Sequence, residues 1–440
     1  MRTLVVVLLV SATLVGHCAS SVPERVRVFQ EYLQIRTDHP EPDYAAAEAW
    51  ILGKCEAYGL KVRTMEYVSG KPVVLCSVEG SDPTLPSVVL NSHTDVVTPG
   101  DPSLWSSGPF EAAVKGNSLI ARGVQDMKSV GAQYLLAVRD LLEEGWQPLR
   151  SIHILWVPEE ETGGVDGMAK FVESQEFKDL NVGFAMDEGL PRTGKVFNVY
   201  YAERSTWKLR IRVQGEAGHS ATLPRQTAAN RLLEILNRAM SVRSDWGRLD
   251  EPPSGGGMVG GEGKAVGVNI IYIHAGVESP ASETGFVMNI LPPVAEAGID
   301  VRVSPFVNEA ELMEKINSWV ACHGDGCLDV TLEVVFRSDG GAVTSLDENQ
   351  NPFYGSFLRA VKNLGLSTEE HVFPGGTDAR YIRRKNIPAV GFSPMNGTEN
   401  QLHCADESLD VDIFVRGVDY YRTIIREVAD TKTAPHKEEL

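Results

Sequence analysis

The stretch Ile152-His-Ile-Leu-Trp-Val157, followed by Pro158-Glu159-Glu160-Glu161, decides the fold prediction. A short apolar run that ends in acidic residues is typical of a strand buried on both faces, with polar groups at its carboxyl end. Segments with helical spacing of apolar residues lie on either side of it, at 130–142 and 168–177. Strands that alternate with helices in this way predict an α/β fold, a mostly parallel sheet flanked by helices.

Two more apolar strands are followed by side chains of the types that bind metal ions or transfer protons. Ser87-Val-Val-Leu90 is followed by His93-Thr94-Asp95, and Val182-Gly-Phe-Ala-Met186 is followed by Asp187-Glu188-Gly189. Ligands of α/β sheets bind outside the carboxyl ends of the strands. We therefore expect the polar groups behind these strands and behind the Ile152 strand to lie near one another.

Asp126 and His403 extend this set of side chains. Asp126 closes a turn-rich segment before a helix, and His403 lies beyond the last predicted strand, Ala389 to Phe392. A lone histidine or acidic pair is more often structural or solvated. Two imidazoles and several carboxylates behind separate strands are instead the ligand types that suit one or two zinc ions.

The pattern of the chain changes near Arg204. Trp207-Lys-Leu-Arg-Ile-Arg-Val213 alternates apolar and polar residues, as a half-exposed antiparallel strand does. Further strand and helix pairs follow, and the α/β pattern returns after about residue 339. The sequence predicts a discontinuous α/β domain, residues 21–203 and 339–430, interrupted by an α+β domain at 204–338.

The ends of the chain predict its location. Residues 1–20 combine Arg2, an apolar run and small residues, which predicts a signal peptide, with an uncleaved anchor as the alternative. The tail 431–440 ends in Lys-Glu-Glu-Leu, which resembles the signal that returns proteins to the endoplasmic reticulum. We expect a lumenal protein, with secretion as the alternative, and no membrane span in the mature chain.

Charge and cysteine content exclude several classes of protein. The formal net charge of −18 argues against nucleic acid or anionic membranes as partners. The sequence has no Cys-x-x-Cys pair, which argues against a structural zinc knuckle. Cys322 and Cys327 flank a turn-like His-Gly-Asp-Gly segment and predict a small disulfide loop, while Cys404 is expected to be a passive neighbour of His403.

Taken in order, the motifs resemble those of the aminoacylase-1 family, within the co-catalytic zinc peptidase and acetylornithine deacetylase superfamily. The resemblance covers residues 22 to about 428. The matching segments are His93-Thr-Asp-Val-Val97, Gly123-Val-Gln-Asp-Met-Lys128, Pro158-Glu-Glu-Glu-Thr-Gly-Gly164, Asp187-Glu-Gly189, Gly218-His-Ser220, Asp300-Val-Arg-Val303 and Gly391-Phe-Ser-Pro-Met-Asn396. Single motifs such as Gly-His-Ser are weak, and the ordered set is specific.

The resemblance implies two zinc ions for each subunit. The first zinc ion would be held by His93, Asp126 and Glu188. The second would be held by Asp126, Glu161 and His403. One carboxylate has two oxygens, so Asp126 is able to bridge both ions.

The resemblance also implies the catalytic groups. Glu160 would be the general base, and Asp95 would orient the imidazole of His93. Three consecutive glutamates leave a shifted alternative open, with Glu159 as the base and Glu160 as the ligand. Asp187 is likewise an alternative to Glu188.

Three further residues lie in the inserted domain. By resemblance, His219 would donate a hydrogen bond to the developing oxyanion, Arg302 would bind the substrate carboxylate, and Asn289 would contact the substrate. The resemblance further implies a homodimer in which His219 reaches the partner's site. A second chain would then supply the apolar partners of the strand from Trp207 to Val213. The alternative is a monomer in which the inserted domain folds back and supplies His219 to its own site.

These expectations define a zinc-dependent amidohydrolase that acts on N-acyl-L-amino acids. The alternative within the same chemistry is a dipeptidase or carboxypeptidase with the same two metal ions. A non-catalytic binding protein of this fold would be expected to lack ligands or the base, and this sequence has both. The length of the acyl chain is left open.

Overall fold

The structure, a computed structural model, describes residues 23–222, 224–246, 266–322, 327–338 and 342–432, without the side chains of 242–246. The predicted signal peptide and the Lys-Glu-Glu-Leu tail lie outside these ranges, so the location of the protein stays a prediction. Across the ranges that the structure describes, no helix is long and apolar enough to cross a membrane.

Helices and strands alternate along most of the chain. In chain order they are α1 (Glu24–Leu33), α2 (Tyr44–Ala57), β1 (Lys61–Glu66), β2 (Pro72–Val78), β3 (Ser87–His93), β4 (Ala113–Lys115), β5 (Ser118–Ile120), α3 (Lys128–Glu143), β6 (Ile152–Val157), α4 (Met168–Phe171), α5 (Gln175–Asp179), β7 (Val182–Asp187), β8 (Val196–Glu203), β9 (Ser205–Gln214), β10 (Gly218–His219), α6 (Ala228–Trp246), β11 (Gly267–His274), β12 (Ile290–Leu291), β13 (Val294–Val303), α7 (Glu309–Val320), β14 (Asp329–Arg337), α8 (Pro352–Asn363), β15 (Ser367–Phe373), α9 (Ala379–Arg383), β16 (Ala389–Gly391), β17 (Ser408–Asp410) and α10 (Val411–Ala429).

The central sheet has eight strands in the order β1-β2-β6-β3-β7-β16-β8-β15. Four of its inner strands, β6, β3, β7 and β16, are parallel neighbours. The strands β1 and β2 form an antiparallel hairpin at one edge, and β8 pairs antiparallel with β16. The predicted α/β fold is confirmed, with a mixed sheet in which the parallel strands carry the predicted ligands.

Helices cover both faces of this sheet, so the apolar strands are buried as their composition predicts. Every residue of β3 and β6 is buried. On one face Phe29 of α1 and Phe414 of α10 stack on each other in the same core cluster as Trp156 of β6. On the other face Phe171 and Ile382 pack in a second cluster. Packing on both faces holds these strands in place, together with the residues at their carboxyl ends.

Two predicted helices are broken in the structure. The apolar spacing over residues 22–60 predicts a mainly helical stretch, and the structure divides it into two helices. Pro40 and Pro42 interrupt it, and the side chain of Asp43 accepts a hydrogen bond from Ala46 N to begin α2. The helix expected over 168–177 is also two short helices, since the side chain of Ser174 caps a new one. In both places a local side-chain bond outweighs the apolar spacing.

The segment between β8 and α8 forms a separate antiparallel sheet in the order β11-β13-β9-β14. The apolar face of β9, Trp207 to Val213, packs in one cluster with residues of α6 and α7. The expectation that a second chain supplies the partners of this face is therefore wrong, because helices of the same chain cover it. Separate core clusters support the predicted boundaries at 204 and 338, which remain a prediction.

The structure contains two disulfides among its described residues. The predicted bond between Cys322 and Cys327 is confirmed, and Cys404 is free and exposed. A second bond joins Cys55 of α2 to Cys76 of β2. The sequence did not predict this bond because 21 residues separate the two cysteines, and only the packing of α2 on β2 brings them together.

We predict that the contact between α3 and β6 tolerates no added atom at Gly131. A Cβ there would lie 2.5 Å from the ring of Trp156 and 2.5 Å from Ser92 Oγ. Gly131→Ala should lower the free energy of unfolding by about 1–3 kcal/mol, the usual cost of overpacking a core.

Gly53 in α2 supplies the control. A Cβ at Gly53 has no neighbour within 4 Å, so Gly53→Ala should raise the free energy of unfolding by about 0.5–1 kcal/mol. Denaturant unfolding measures both variants. Equal effects of the two substitutions would contradict the described packing of α3.

Candidate metal centre

The five predicted ligands form two groups that share one carboxylate. The ligand atoms of His93, Asp126 and Glu188 lie within 4.8 Å of one another, and so do those of Asp126, Glu161 and His403. One oxygen of Asp126 lies 3.2 Å from Nε2 of His93, and the other lies 3.1 Å from Nε2 of His403. Asp126 thus faces both groups with different oxygens.

The parallel strands explain why these side chains meet. His93 ends β3, Glu188 directly follows β7, and Glu161 lies in a short 3-10 turn three residues after the end of β6. Since β6, β3 and β7 are parallel neighbours, their carboxyl ends meet at one edge of the sheet. His403 comes from the loop that follows β16, the next strand of the same set.

The loop that carries Asp126 is held by Glu407, a fully buried residue that the sequence analysis missed. Its carboxylate accepts hydrogen bonds from the main-chain nitrogens of Gly123, Gln125 and Asp126. It also accepts one from Arg122 at 2.6 Å. No motif marks Glu407, because only the pairing of β17 with β5 brings it beside this loop.

Glu159 is engaged in its own turn and does not face either ligand group. Its carboxylate accepts hydrogen bonds from Thr162 Oγ1 at 3.2 Å and from Asp166 N at 2.7 Å. Glu161 Oε2 instead lies 3.2 Å from His403 Nε2. The geometry favours Glu160 and Glu161 over the shifted alternative.

Asp187 is likewise occupied by protein donors. Its carboxylate accepts hydrogen bonds from Asn91 Nδ2, Glu188 N and Ala379 N. Glu188 Oε1 lies 3.8 Å from Nε2 of His93. The geometry favours Glu188 as the ligand and gives Asp187 a supporting role.

Asp95 supports the site differently from the expectation. Nδ1 of His93 lies 2.9 Å from the main-chain oxygen of Asp95, while the nearer carboxylate oxygen is 3.7 Å away. The carboxylate itself accepts hydrogen bonds from Glu160 N and Glu161 N, each at 3.1 Å. The main chain of Asp95 orients the imidazole, and its side chain holds the turn with the predicted base.

The pKa values of these groups show how closely the charges are packed. Burial raises the pKa of Glu188 well above its usual range, and the charge of Asp126 adds to this effect. Hydrogen bonds to Asp126 and Glu161 raise the pKa of His403 to about 10. Burial would raise the pKa of Asp126, but hydrogen bonds from His403 and His93 lower it. The carboxylates repel one another and attract positive charge.

The two groups fit a pair of divalent metal ions. Each combines carboxylate oxygens with one imidazole nitrogen, the donor set that zinc takes in hydrolytic sites. Glu161 Oε1 is buried and has no hydrogen-bond partner among the described residues, as a ligand atom reserved for a cation would be. A cation between these carboxylates would offset their mutual repulsion. The assignment of individual ligands stays a proposal.

The predicted substrate residues lie in the inserted segment, apart from the ligand groups. His219 is exposed on β10 and pairs with Ile290 of β12, and Ser220 N donates to the main-chain oxygen of Asn289. Arg302 lies on β13 and donates hydrogen bonds to Asp300 and Thr206. The structure brings His219 and Asn289 together. Among the described residues, no hydrogen bond or ion pair joins either one to the ligand groups.

The segment 377–380, in which the sequence analysis assigned no functional residue, lies against the predicted base Glu160. Arg380 Nη1 is 3.7 Å from Glu160 Oε1, and Arg380 also donates to the main-chain oxygens of Thr377 and Gly163. Both carboxylate oxygens of the neighbouring Asp378 are buried without a hydrogen-bond partner among the described residues. The resemblance extends to Gly375-Gly-Thr-Asp378, which matches a loop on the substrate side with a plain turn as the alternative, but it assigns no role to Arg380.

The model of peptidase family M20/M25/M40 matches residues 89–427. The chain belongs to this family. Human aminoacylase-1 is 39% identical over 412 residues, which are 93% of this chain and 96% of the human protein. Aminoacylase-1 of Dictyostelium discoideum is 35% identical over 405 residues, 91% of this chain and 97% of that protein. The resemblance to aminoacylases is confirmed.

The fold agrees with this family. The crystal structure of the M20 family metallo-carboxypeptidase Sso-CP2 from Sulfolobus solfataricus superimposes with a TM-score of 0.70 at 15% identity, covering 92% of this chain and 99% of that one. At that identity the likeness shows the fold alone. Together with the similarity to aminoacylases, family membership confirms the prediction of a metal-dependent amidohydrolase.

We predict that removing shared and unshared ligands has different effects on metal content. Asp126→Ala should lose both ions, because this residue faces both groups. Glu188→Ala and Glu161→Ala should each weaken the binding of one ion, since each belongs to one group. Metal content after dialysis measures the outcome.

The exposed Glu173, which pairs with Lys385, provides the control, and Glu173→Ala should bind metal like the wild type. If Asp126→Ala retained one ion with the wild-type affinity, the shared position of Asp126 would be excluded.

Proposed function

We propose that the protein hydrolyses the amide bond of N-acyl-L-amino acids with two zinc ions in each subunit. The observation that carries this proposal is the pair of ligand groups that share Asp126, with Glu160 directly before Glu161 in the same turn. Full-length similarity to aminoacylase-1 supports the substrate class. The products would be a carboxylate and a free L-amino acid.

The ligand residues named above would hold the ions in this proposal. When bound, the metal pair lowers the pKa of a water molecule and polarises the substrate carbonyl. Glu160 accepts the proton of the attacking water and delivers it to the leaving nitrogen. Burial raises the pKa of Glu160 above its usual range, and the charge of His93 opposes this effect. Arg380 Nη1 lies 3.7 Å from this carboxylate.

The substrate carboxylate would bind to guanidinium groups of the inserted segment. Arg302 is held in position by Asp300 and Thr206. Burial, and then the nearby charge of Arg302, lower the pKa of Arg204 to about 10. Asp300 offsets part of this positive charge, and a planar carboxylate would bind to a guanidinium in a bidentate manner.

A substrate panel tests this function. Purified protein loaded with zinc is given N-acetyl-L-methionine, its D-enantiomer, an N-acyl-L-methionine with a long acyl chain, and L-dipeptides. We expect hydrolysis of the N-acyl-L-amino acids and little turnover of the D-enantiomer or the dipeptides. Preferred hydrolysis of dipeptides would replace the proposal with a dipeptidase.

We predict that Glu160→Gln retains zinc and loses at least about 100-fold in kcat, the lower range for removal of a general base. The amide keeps the size of the side chain but has little affinity for a proton. Steady-state kinetics and metal content measure the two effects. Glu159→Gln is the control, because the carboxylate of Glu159 accepts hydrogen bonds from Thr162 and Asp166 in its own turn. Normal turnover of Glu160→Gln, with loss in Glu159→Gln, would identify Glu159 as the base.

We also propose that the active site is completed by a homodimer. His219 is exposed, and an oxyanion donor has to be fixed close to the reacting carbonyl. Within the described residues, β11 is an edge strand of the inserted sheet, and it exposes Ile271 and Ile273 by 65% and 58%. An unpaired edge strand with exposed apolar side chains favours pairing with a second copy. Such pairing would bring one subunit's His219 to the other subunit's site.

We predict that two inactive variants restore activity when they are co-expressed. Glu160→Ala lacks the base, and His219→Ala lacks the oxyanion donor. A heterodimer then contains one site with both defects and one with neither, so up to about half of the wild-type turnover should return. Each variant expressed alone is the control. No recovery at any mixing ratio would remove the role of His219 across the interface.

A further inference from the structure

The carboxylate of Asp95 has a third donor that neither the motifs nor the proposed mechanism explains. Asp95 is fully buried, and besides Glu160 N and Glu161 N its Oδ2 contacts His39 Nε2 at 2.8 Å. An ionised carboxylate only accepts hydrogen bonds, so Nε2 of His39 is the donor. We propose that His39 is a positioning residue, which acts through Asp95 to fix the turn that carries Glu160 and Glu161. This inference rests on the roles proposed above for these two glutamates.

The turn needs such support because its backbone is unusual. Glu159, directly before the base, has a φ of 72°, a left-handed conformation that residues with a side chain rarely adopt. Gly163 and Gly164 follow with φ values of 120° and 66°. Hydrogen bonds from outside keep such a segment in one conformation. The carboxylate of Asp95 supplies them at the two residues that have functional roles.

His39 is itself held in register with Asp95. Val96 N donates to the main-chain oxygen of Thr37 at 2.9 Å, and His39 N donates to the main-chain oxygen of Val96 at 3.1 Å. The segment from Thr37 to His39 therefore runs along the segment that contains Asp95. This pairing places the imidazole against the carboxylate with little freedom to move away.

Asp95 also connects the two ligand groups. Its main-chain oxygen contacts Nδ1 of His93 in the first group, and its carboxylate holds the main chain of Glu161 in the second. Loss of the His39 donor would leave a buried oxygen under-satisfied, and the carboxylate would then be held by Glu160 N and Glu161 N without the side-chain donor that fixes it from outside the turn. Residues that support metal ligands in this way typically contribute 10–100-fold to metal affinity or activity.

Two variants of His39 separate the hydrogen bond from the space that the ring fills. His39→Gln keeps an N–H donor of similar reach, and His39→Leu removes the donor. We expect His39→Leu to lower kcat about tenfold with little change in KM, and to release zinc to a competing chelator at a concentration at least about tenfold lower. We expect His39→Gln to stay within about threefold of the wild type in both measurements.

His371→Leu is the matched control. Its side chain is 24% exposed, compared with 22% for His39, and it also lies beside a carboxylate, 3.5 Å from Glu369. It is on β15, outside the proposed site, so turnover and zinc retention should equal those of the wild type. If His39→Leu does not fold, His39→Asn replaces it, because the amide of Asn is too short to reach Asp95. His39→Asn should then show the losses expected for His39→Leu.

The inference is wrong if His39→Leu, or His39→Asn in its place, has the wild-type kcat and holds zinc as strongly as the wild type. It is also wrong if His39→Gln loses as much as the variant without the donor, because the N–H group would then not be what matters. Zinc retention requires no substrate, so it tests the role of His39 even if the wild-type protein fails to hydrolyse N-acyl amino acids.

Discussion

The structure depends on holding several carboxylates together in a buried place. Asp126, Glu160, Glu161 and Glu188 converge at the carboxyl edge of the central sheet, where burial raises the pKa values of the three glutamates. Like charges at this distance repel strongly when water is scarce. Each is attached to a strand or to a loop that follows or precedes a packed element, and two metal ions would offset the repulsion. The residues proposed for catalysis and the elements that hold them therefore belong to the same edge of the central sheet.

Rigidity comes from main-chain hydrogen bonds to buried carboxylates that are not ligands. Glu407 holds the loop of Asp126, Asp95 holds the turn of Glu160, and Asp187 accepts hydrogen bonds from Glu188 N and Ala379 N. Each of these acidic residues uses its oxygens for backbone nitrogens, which leaves the ligand carboxylates free for metal ions. In this site three supporting carboxylates thus accompany the three acidic residues of the ligand groups.

The sequence predicted the groups that lie directly behind apolar strands, because strand direction alone brings them together. His93, Glu161 and Glu188 are of this kind. It did not predict Glu407, Arg380 or His39, since their positions depend on how distant loops pack. The break between α1 and α2 was missed for a local reason, the two prolines and the Asp43 cap. The covered face of β9 was missed because alternation does not tell which chain supplies the covering helix.

The central claim is that hydrolysis of N-acyl-L-amino acids depends on metal ions at the site around Asp126. The most direct measurement removes the metal with a chelator and then follows hydrolysis of N-acetyl-L-methionine while zinc is added back stepwise. We expect the metal-free protein to be inactive and turnover to return in full as zinc approaches two equivalents per chain. Undiminished turnover by the metal-free protein, or none after zinc is restored, would contradict this account.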